Sequence, residues 1–277
     1  MCRATHYSVA IVAYGHTRKV AALVAGILLA LQASLSPARA DGADTNSPAP
    51  HLQQIFEAAQ QAYGLKPKEE GVAWRFARAC FDRAEFPSNS THRAELAKLG
   101  IEAALTALAQ DSNSAPAHYY LGMNYGQLAR TKTLGALPLV DKMEVEFQRA
   151  AQLDESFDYA GPHRNLGRLY FEAPAFASVG DYDKAKKHFN RASKLAPDYP
   201  ENRLNQIEAS IRWRKIGDAR RELELLEDML EAAHAKFNGM DWATAWMDWD
   251  ARLEKVRAAL RKSKSPTGAA KGAALLN

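Results

Sequence analysis

The chain has 277 residues, 47% of them hydrophobic and 25% charged, with 36 Lys plus Arg against 32 Asp plus Glu. That composition excludes a disordered or collagen-like chain and is long enough for one extended or two compact domains. Arg3, Arg18, Lys19 and Arg39 lie among the first 40 residues without a single acid. The remainder is charge-balanced, so its net charge gives no argument for nucleic-acid binding.

Residues 1–40 read as a secretory signal peptide. Arg18 and Lys19 precede the apolar run Val20–Leu35, and small residues stand at Ala38 and Ala40 before Asp41. Cleavage after Ala40 is expected, giving a periplasmic or secreted protein; an uncleaved anchor is the alternative, although the run is short for a hydrocarbon core of about 30 Å. Of the two cysteines, Cys2 and Cys80, only Cys80 would remain, so no disulfide framework is expected. Residues 41–50 read as a polar Pro/Ser linker.

From His51 onward, apolar periodicity predicts helices near 51–63, 71–84, 91–110, 115–130, 138–153, 161–173, 182–195, 200–215, 218–236 and 241–262, with no strand. Ala, Leu, Glu, Lys and Arg dominate, as helices favour. The expected fold is all-α: a tetratricopeptide-like solenoid of helical hairpins over 51–240, a capping helix over 241–262 and a basic disordered tail over 263–277.

A repeated word carries this assignment. Leu121, Gly122 and Tyr125 recur as Leu166, Gly167 and Tyr170, and Ala185, Phe189, Ala192 and Pro197 complete the second copy. Leu and Tyr at this spacing share one face, and a glycine between them admits the partner helix closely. The 45-residue offset exceeds the usual 34-residue repeat, and apolar inserts at 131–139 and 173–181 hold the surplus. They either pack over the hairpin ends or form a binding lip.

Residues 115–200 resemble the TatT-like T-component proteins of tetratricopeptide-associated TRAP transporters. They also resemble the tetratricopeptide domain of the mitochondrial regulators of microtubule dynamics, through Gly161-Pro162, Arg164, Leu166-Gly167, Leu169-Tyr170 and Pro174. An export signal favours the bacterial family. That resemblance implies an accessory component of a TRAP system that meets a periplasmic substrate-binding protein. The missing lipidation cysteine departs from the family pattern, and no catalytic residues carry over.

No Walker loop, GxSxG elbow, HExxH helix or CxxC pair is present, and no metal ligands or cofactor are expected. Arg78 and Arg83 flank Cys80, but a small core residue is the simpler reading. Counting from the Leu-Gly anchors places Tyr119, Met123, Arg164 and Arg168 on the concave face. Two guanidinium groups four residues apart would suit a carboxylate or acidic peptide; pairing with local acids such as Asp158 or Glu172 is the alternative. Trp242, Trp246, Trp249, Leu253, Val256 and Leu260 form one apolar stripe that caps the array or mediates self-association. The function expected is an exported non-catalytic scaffold for a protein or small acidic ligand. A protein partner, weak membrane contact at most and homo-oligomerisation fit it. The alternatives are an envelope assembly adaptor and an enzyme with an unrecognised site.

Overall fold

The computed structural model describes residues 47–132, 135–174 and 178–263. Among them are ten helices and no strand: α1 (Ala49–Leu65), α2 (Val72–Ala84), α3 (Ser90–Gln110), α4 (Ala115–Ala129), α5 (Leu137–Leu153), α6 (Phe157–Glu172), α7 (Tyr182–Leu195), α8 (Pro200–Arg212), α9 (Ile216–Lys236) and α10 (Met240–Lys262). The signal-peptide and tail segments lie outside the described residues, apart from Ser263. Within the expected linker, α1 already begins at Ala49.

The helix starts follow from local chemistry. The side chains of Asn89, Ser114 and Asp181 accept hydrogen bonds from the backbone N–H groups of His92, Ala117 and Lys184. Pro116, Pro138 and Pro200 occupy the first turns of α4, α5 and α8, where a missing N–H costs no intrahelical bond.

The helices pair as hairpins α2–α3, α4–α5, α6–α7 and α8–α9, while the even-numbered helices also pack on one another. This is an all-α helical-hairpin solenoid. The repeat glycines sit where their spacing requires them. A Cβ on Gly122 would meet the Phe147 ring, and one on Gly167 the Phe189 ring, both under 3.0 Å. Leu121, Leu166, Tyr170, Ala185, Phe189 and Ala192 are buried, Tyr125 is half-buried, and exposed Pro197 follows the end of α7. In the inserts, Leu137 and Leu139 pack on Ala129 and Ala136, and Val179 packs on the first core.

Among the described residues two large hydrophobic cores result, one built from α1 to α7 with Ala209, the other from Ala160 and α7 to α10, beside two small clusters. In α10, Trp249, Leu253, Val256 and Leu260 are buried, Trp242 is half-buried against Tyr199 and Phe237, and half-buried Trp246 stacks on His234. The two ends of the array meet: His51 of α1 lies 2.8 Å from Asp241 of α10.

Candidate functional site

The two cores join at the start of α6. Asp158, Tyr159 and Ala160 all have left-handed backbone, with φ of 51°, 55° and 63°. For L-residues this conformation costs about 1–2 kcal/mol each, and only Asp158 is a type that visits it readily. Right-handed helix follows from Gly161-Pro162. The turn throws neighbouring rings to opposite sides. Phe157 makes edge contacts with Trp74, Tyr119 and Tyr120 of the first core. Tyr159 stacks on Tyr199 of the second, with centroids 4.7 Å apart.

Arg164 pins this turn. Its Nη1 donates to the carbonyls of Asp158 (3.1 Å) and Tyr159 (3.0 Å) and its Nη2 to the Asp158 carboxylate at 2.9 Å. Its Nε faces Glu201 Oε2 at 3.2 Å. Asn202 Nδ2 donates to the Tyr159 carbonyl from α8. Burial opposes the charge on Arg164, but Glu201, Tyr119, Tyr199 and Asp158 outweigh it and hold the guanidinium pKa well above its ordinary value.

The same chemistry continues along the even-numbered helices. On α6, Arg168 pairs with Glu208 at 2.9 Å and Glu172 at 3.4 Å, and Glu172 also takes Arg212 at 3.1 Å. On α10, Arg252 donates to both carboxylate oxygens of Glu208, to Asn205 Oδ1 and to Asp248 Oδ2. Burial would raise the Glu208 pKa, yet Arg252 and Arg168 bring it below the usual value. On α2, Arg78 and Asp82 pair at 3.4 Å.

Sign and exposure are not evenly distributed. The side chains of Arg164 and Arg252 are 5% and 7% exposed, whereas Asp82, Asp158, Glu201 and Asp248 retain 25–29%. Arg164 and Arg252 therefore stand behind Asp158, Glu201 and Asp248, whereas Arg78 is more exposed than Asp82, and Arg168 more exposed than Glu208 and Glu172. Burial, with Asp158 and Glu85 nearby, pushes Asp82 up to about 6 despite Arg78. Burial and the crowding of Glu201 and Glu208 likewise raise Asp248 despite Arg252.

The four residues expected on an open face divide. Tyr119 is 1% exposed; its hydroxyl donates to Asp158 at 2.7 Å and accepts from Asn165. Met123 is half-buried and takes the same Asn165 amide on sulfur at 3.3 Å. Arg164 is buried beside Tyr119, and Arg168 is partly exposed but paired. Tyr119, Met123 and Arg164 do come together, as an internal joint. Free guanidinium groups waiting for a carboxylate are therefore corrected to bonded ones, because Asp158, Glu201, Glu208 and Glu172 already occupy the forks. Sequence reading missed Asp82, Glu201, Asn205, Glu208, Asp248 and Arg252. The available signal was the run of polar residues at helical spacing between Leu204, Ile207 and Ile211.

Cys80 is fully buried on α2, and burial pushes its thiol up to about 12, which makes it a packing residue rather than a nucleophile. No group of three metal-ligating side chains occurs among the described residues, nor does any helix among them have the length and apolarity to cross a membrane.

The fold and joint define a helical-repeat protein with a charge-lined inner layer. The model of one family, regulator of microtubule dynamics protein 1-3, matches residues 39–172, just under half of the chain. The match spans α1 to α6 and ends at Glu172, so it includes the left-handed turn and Arg164 but not Tyr199, Glu201 or Asn202. No curated protein matches the chain.

This match corrects the choice between the two resemblances. It falls on the regulators of microtubule dynamics and not on the T-component family. The TRAP accessory role, the periplasmic binding-protein partner and the exported, periplasmic location with its signal peptide fall with that choice. The physical reason is that Leu-Gly-Tyr reports how helices pack, which both families share. Similarity to a regulatory family supports protein interaction in general.

Proposed function

We propose that the chain is a non-enzymatic protein-interaction module whose inner layer receives a basic segment of a partner protein. The match to the regulators of microtubule dynamics supports a role in the same process. The observation that carries the reading is the set of part-exposed carboxylates, Asp82, Asp158, Glu201 and Asp248, the last three backed by the buried Arg164 and Arg252. Two of these carboxylates hold their charge against burial, and a lysine or arginine from outside would relieve that cost. The polar groups bond chiefly to one another across helices, which suits recognition better than turnover.

The test is calorimetric titration of the full chain with a lysine-rich and a glutamate-rich peptide at low and moderate salt. The lysine-rich peptide is expected to bind and to weaken with salt, and Asp82→Asn or Asp248→Asn to weaken it by about fivefold. Equal binding of the glutamate-rich peptide, or unchanged binding by both variants, would overturn the reading. Co-sedimentation with polymerised tubulin tests the microtubule step separately: pelleting supports it and absence of pelleting removes it.

Asp82→Asn has a second expected outcome. The folded-state pKa of about 6 lies above the ordinary value of 3.8, so folded chain binds more protons between them. This group's contribution therefore falls as pH rises from 3.8 to 6, and its charge at neutral pH costs stability. The substitution should raise stability at pH 7 by about 1 kcal/mol, less than the shift alone implies because Arg78 loses its partner. Urea melts at pH 7 and pH 4 check this, with the gain confined to pH 7.

A further inference from the structure

Two histidines on the α6–α7 hairpin take no part in the inner-layer network. His163 and His188 turn their Nδ1 atoms toward each other across 2.8 Å, with ring centroids 5.1 Å apart. A hydrogen bond of this length needs one Nδ1 with a proton and one without. The surroundings indicate which is which. His163 Nε2 faces Glu155 Oε2, an acceptor, at 3.4 Å. His163 therefore carries its proton on Nε2 and presents a bare Nδ1, and His188 donates from its own Nδ1. A further proton on His163 would set two N–H groups against each other.

Around that proton the cations outnumber the carboxylates. From α7 come Lys184, Lys187 and Arg191. Glu155, before α6, is the carboxylate at the pair, and Arg191 already grips it through both terminal oxygens. Tyr170 of α6 lies against the His188 ring at 5.5 Å, and its hydroxyl donates to Glu144 of α5. Glu144 is in turn 3.9 Å from Lys184.

We propose that His163 and His188 form an acid-sensitive latch on the α6–α7 hairpin, fastened by one shared proton and released when both rings are charged. His163 stands between Pro162 and Arg164. Parting the rings acts on the residues that pin the left-handed turn and join the two cores. This device is independent of what the inner layer binds.

Burial, followed by the neighbouring cations, lowers His188 to about 4; burial also lowers His163 despite Glu155. A histidine whose folded pKa is depressed contributes stability that is complete above the unfolded value near 6.5. The contribution is lost as pH falls toward 4, because the unfolded chain binds the extra proton. For His188 alone, the unfolding constant should rise about 20-fold between pH 7 and pH 5 relative to a variant without it.

The experiment compares urea unfolding of the full chain with that of His188→Asn, whose amide can still donate to His163 Nδ1, from pH 7.5 to pH 5. Nitrogen-15 NMR of the wild-type imidazoles is recorded over the same range. The expected result is a steeper acid loss in wild type than in the variant, with opposite tautomers for the two rings at pH 7. Equal pH slopes overturn the latch. So do two imidazoles of the same tautomer or two that titrate near 6.5, a readout that holds even where the variant does not fold.

Discussion

Arg164→Ala should lower the stability of the chain by roughly 3–5 kcal/mol, as removal of one partner from a buried ion pair does. The side chain is 5% exposed, and its hydrogen bonds end on two backbone carbonyls, the Asp158 carboxylate and the Tyr119 hydroxyl, with Glu201 beside its Nε. Truncation leaves those acceptors facing one another. It also removes the group that lies over the Tyr199 ring at 4.8 Å. Most importantly, three left-handed residues lose the side chain that holds them. Arg164→Lys keeps the charge, but one ammonium cannot span the fork's acceptors, so an intermediate loss is expected. Urea midpoints for both variants check the order. A midpoint for Arg164→Ala within about 0.5 kcal/mol of wild type, the range of an ordinary surface change, would mean that Arg164 is not a structural pin. The open-face reading of Arg164 would then stand again.

The reasons for that loss also mark where sequence reading stopped. Helix positions were legible because apolar spacing acts over a few residues, and the caps found at Ser114 and Asp181 act over the same short range. The Leu-Gly-Tyr register was legible for the same reason, since it concerns one helix and its immediate partner. Phe157-Asp158-Tyr159-Ala160 was not. It holds no glycine, and its left-handed backbone is imposed by Arg164 and Asn202 from other turns of the structure. The charges on Arg164 and Arg168 were visible, as was their shared face. Their partners Glu201 and Glu208 lie some 40 residues further on, in a different hairpin, and no local pattern links them. Hence the local half of the pairing, Asp158 on Arg164 and Glu172 on Arg168, was open to sequence reading as the alternative to a free binding face, and the distant half, Glu201 and Glu208, was not. Family choice failed at the same limit, because a packing word repeats across families that bind different things.

Gly167→Leu tests the part that was legible. A Cβ at this position would lie under 3.0 Å from the Phe189 ring. Phe189 is 2% exposed and also in contact with Phe171, with centroids 6.1 Å apart, so it has little room to retreat. A leucine adds four carbons where the first already has no space. The helices α6 and α7 must then separate or Phe189 must leave its rotamer, at a cost of about 1–3 kcal/mol for ordinary overpacking and more where the surroundings cannot yield. The separation would also lengthen the His163–His188 contact on the same hairpin, so the variant should lose stability at neutral pH and show a shallower acid dependence than wild type. Gly64→Leu is the control: a Cβ there meets nothing within 4 Å, and its melting temperature should move little. Equal melting temperatures for Gly167→Leu and wild type would show that this glycine does not mark the α6–α7 contact and that the repeat register is misplaced.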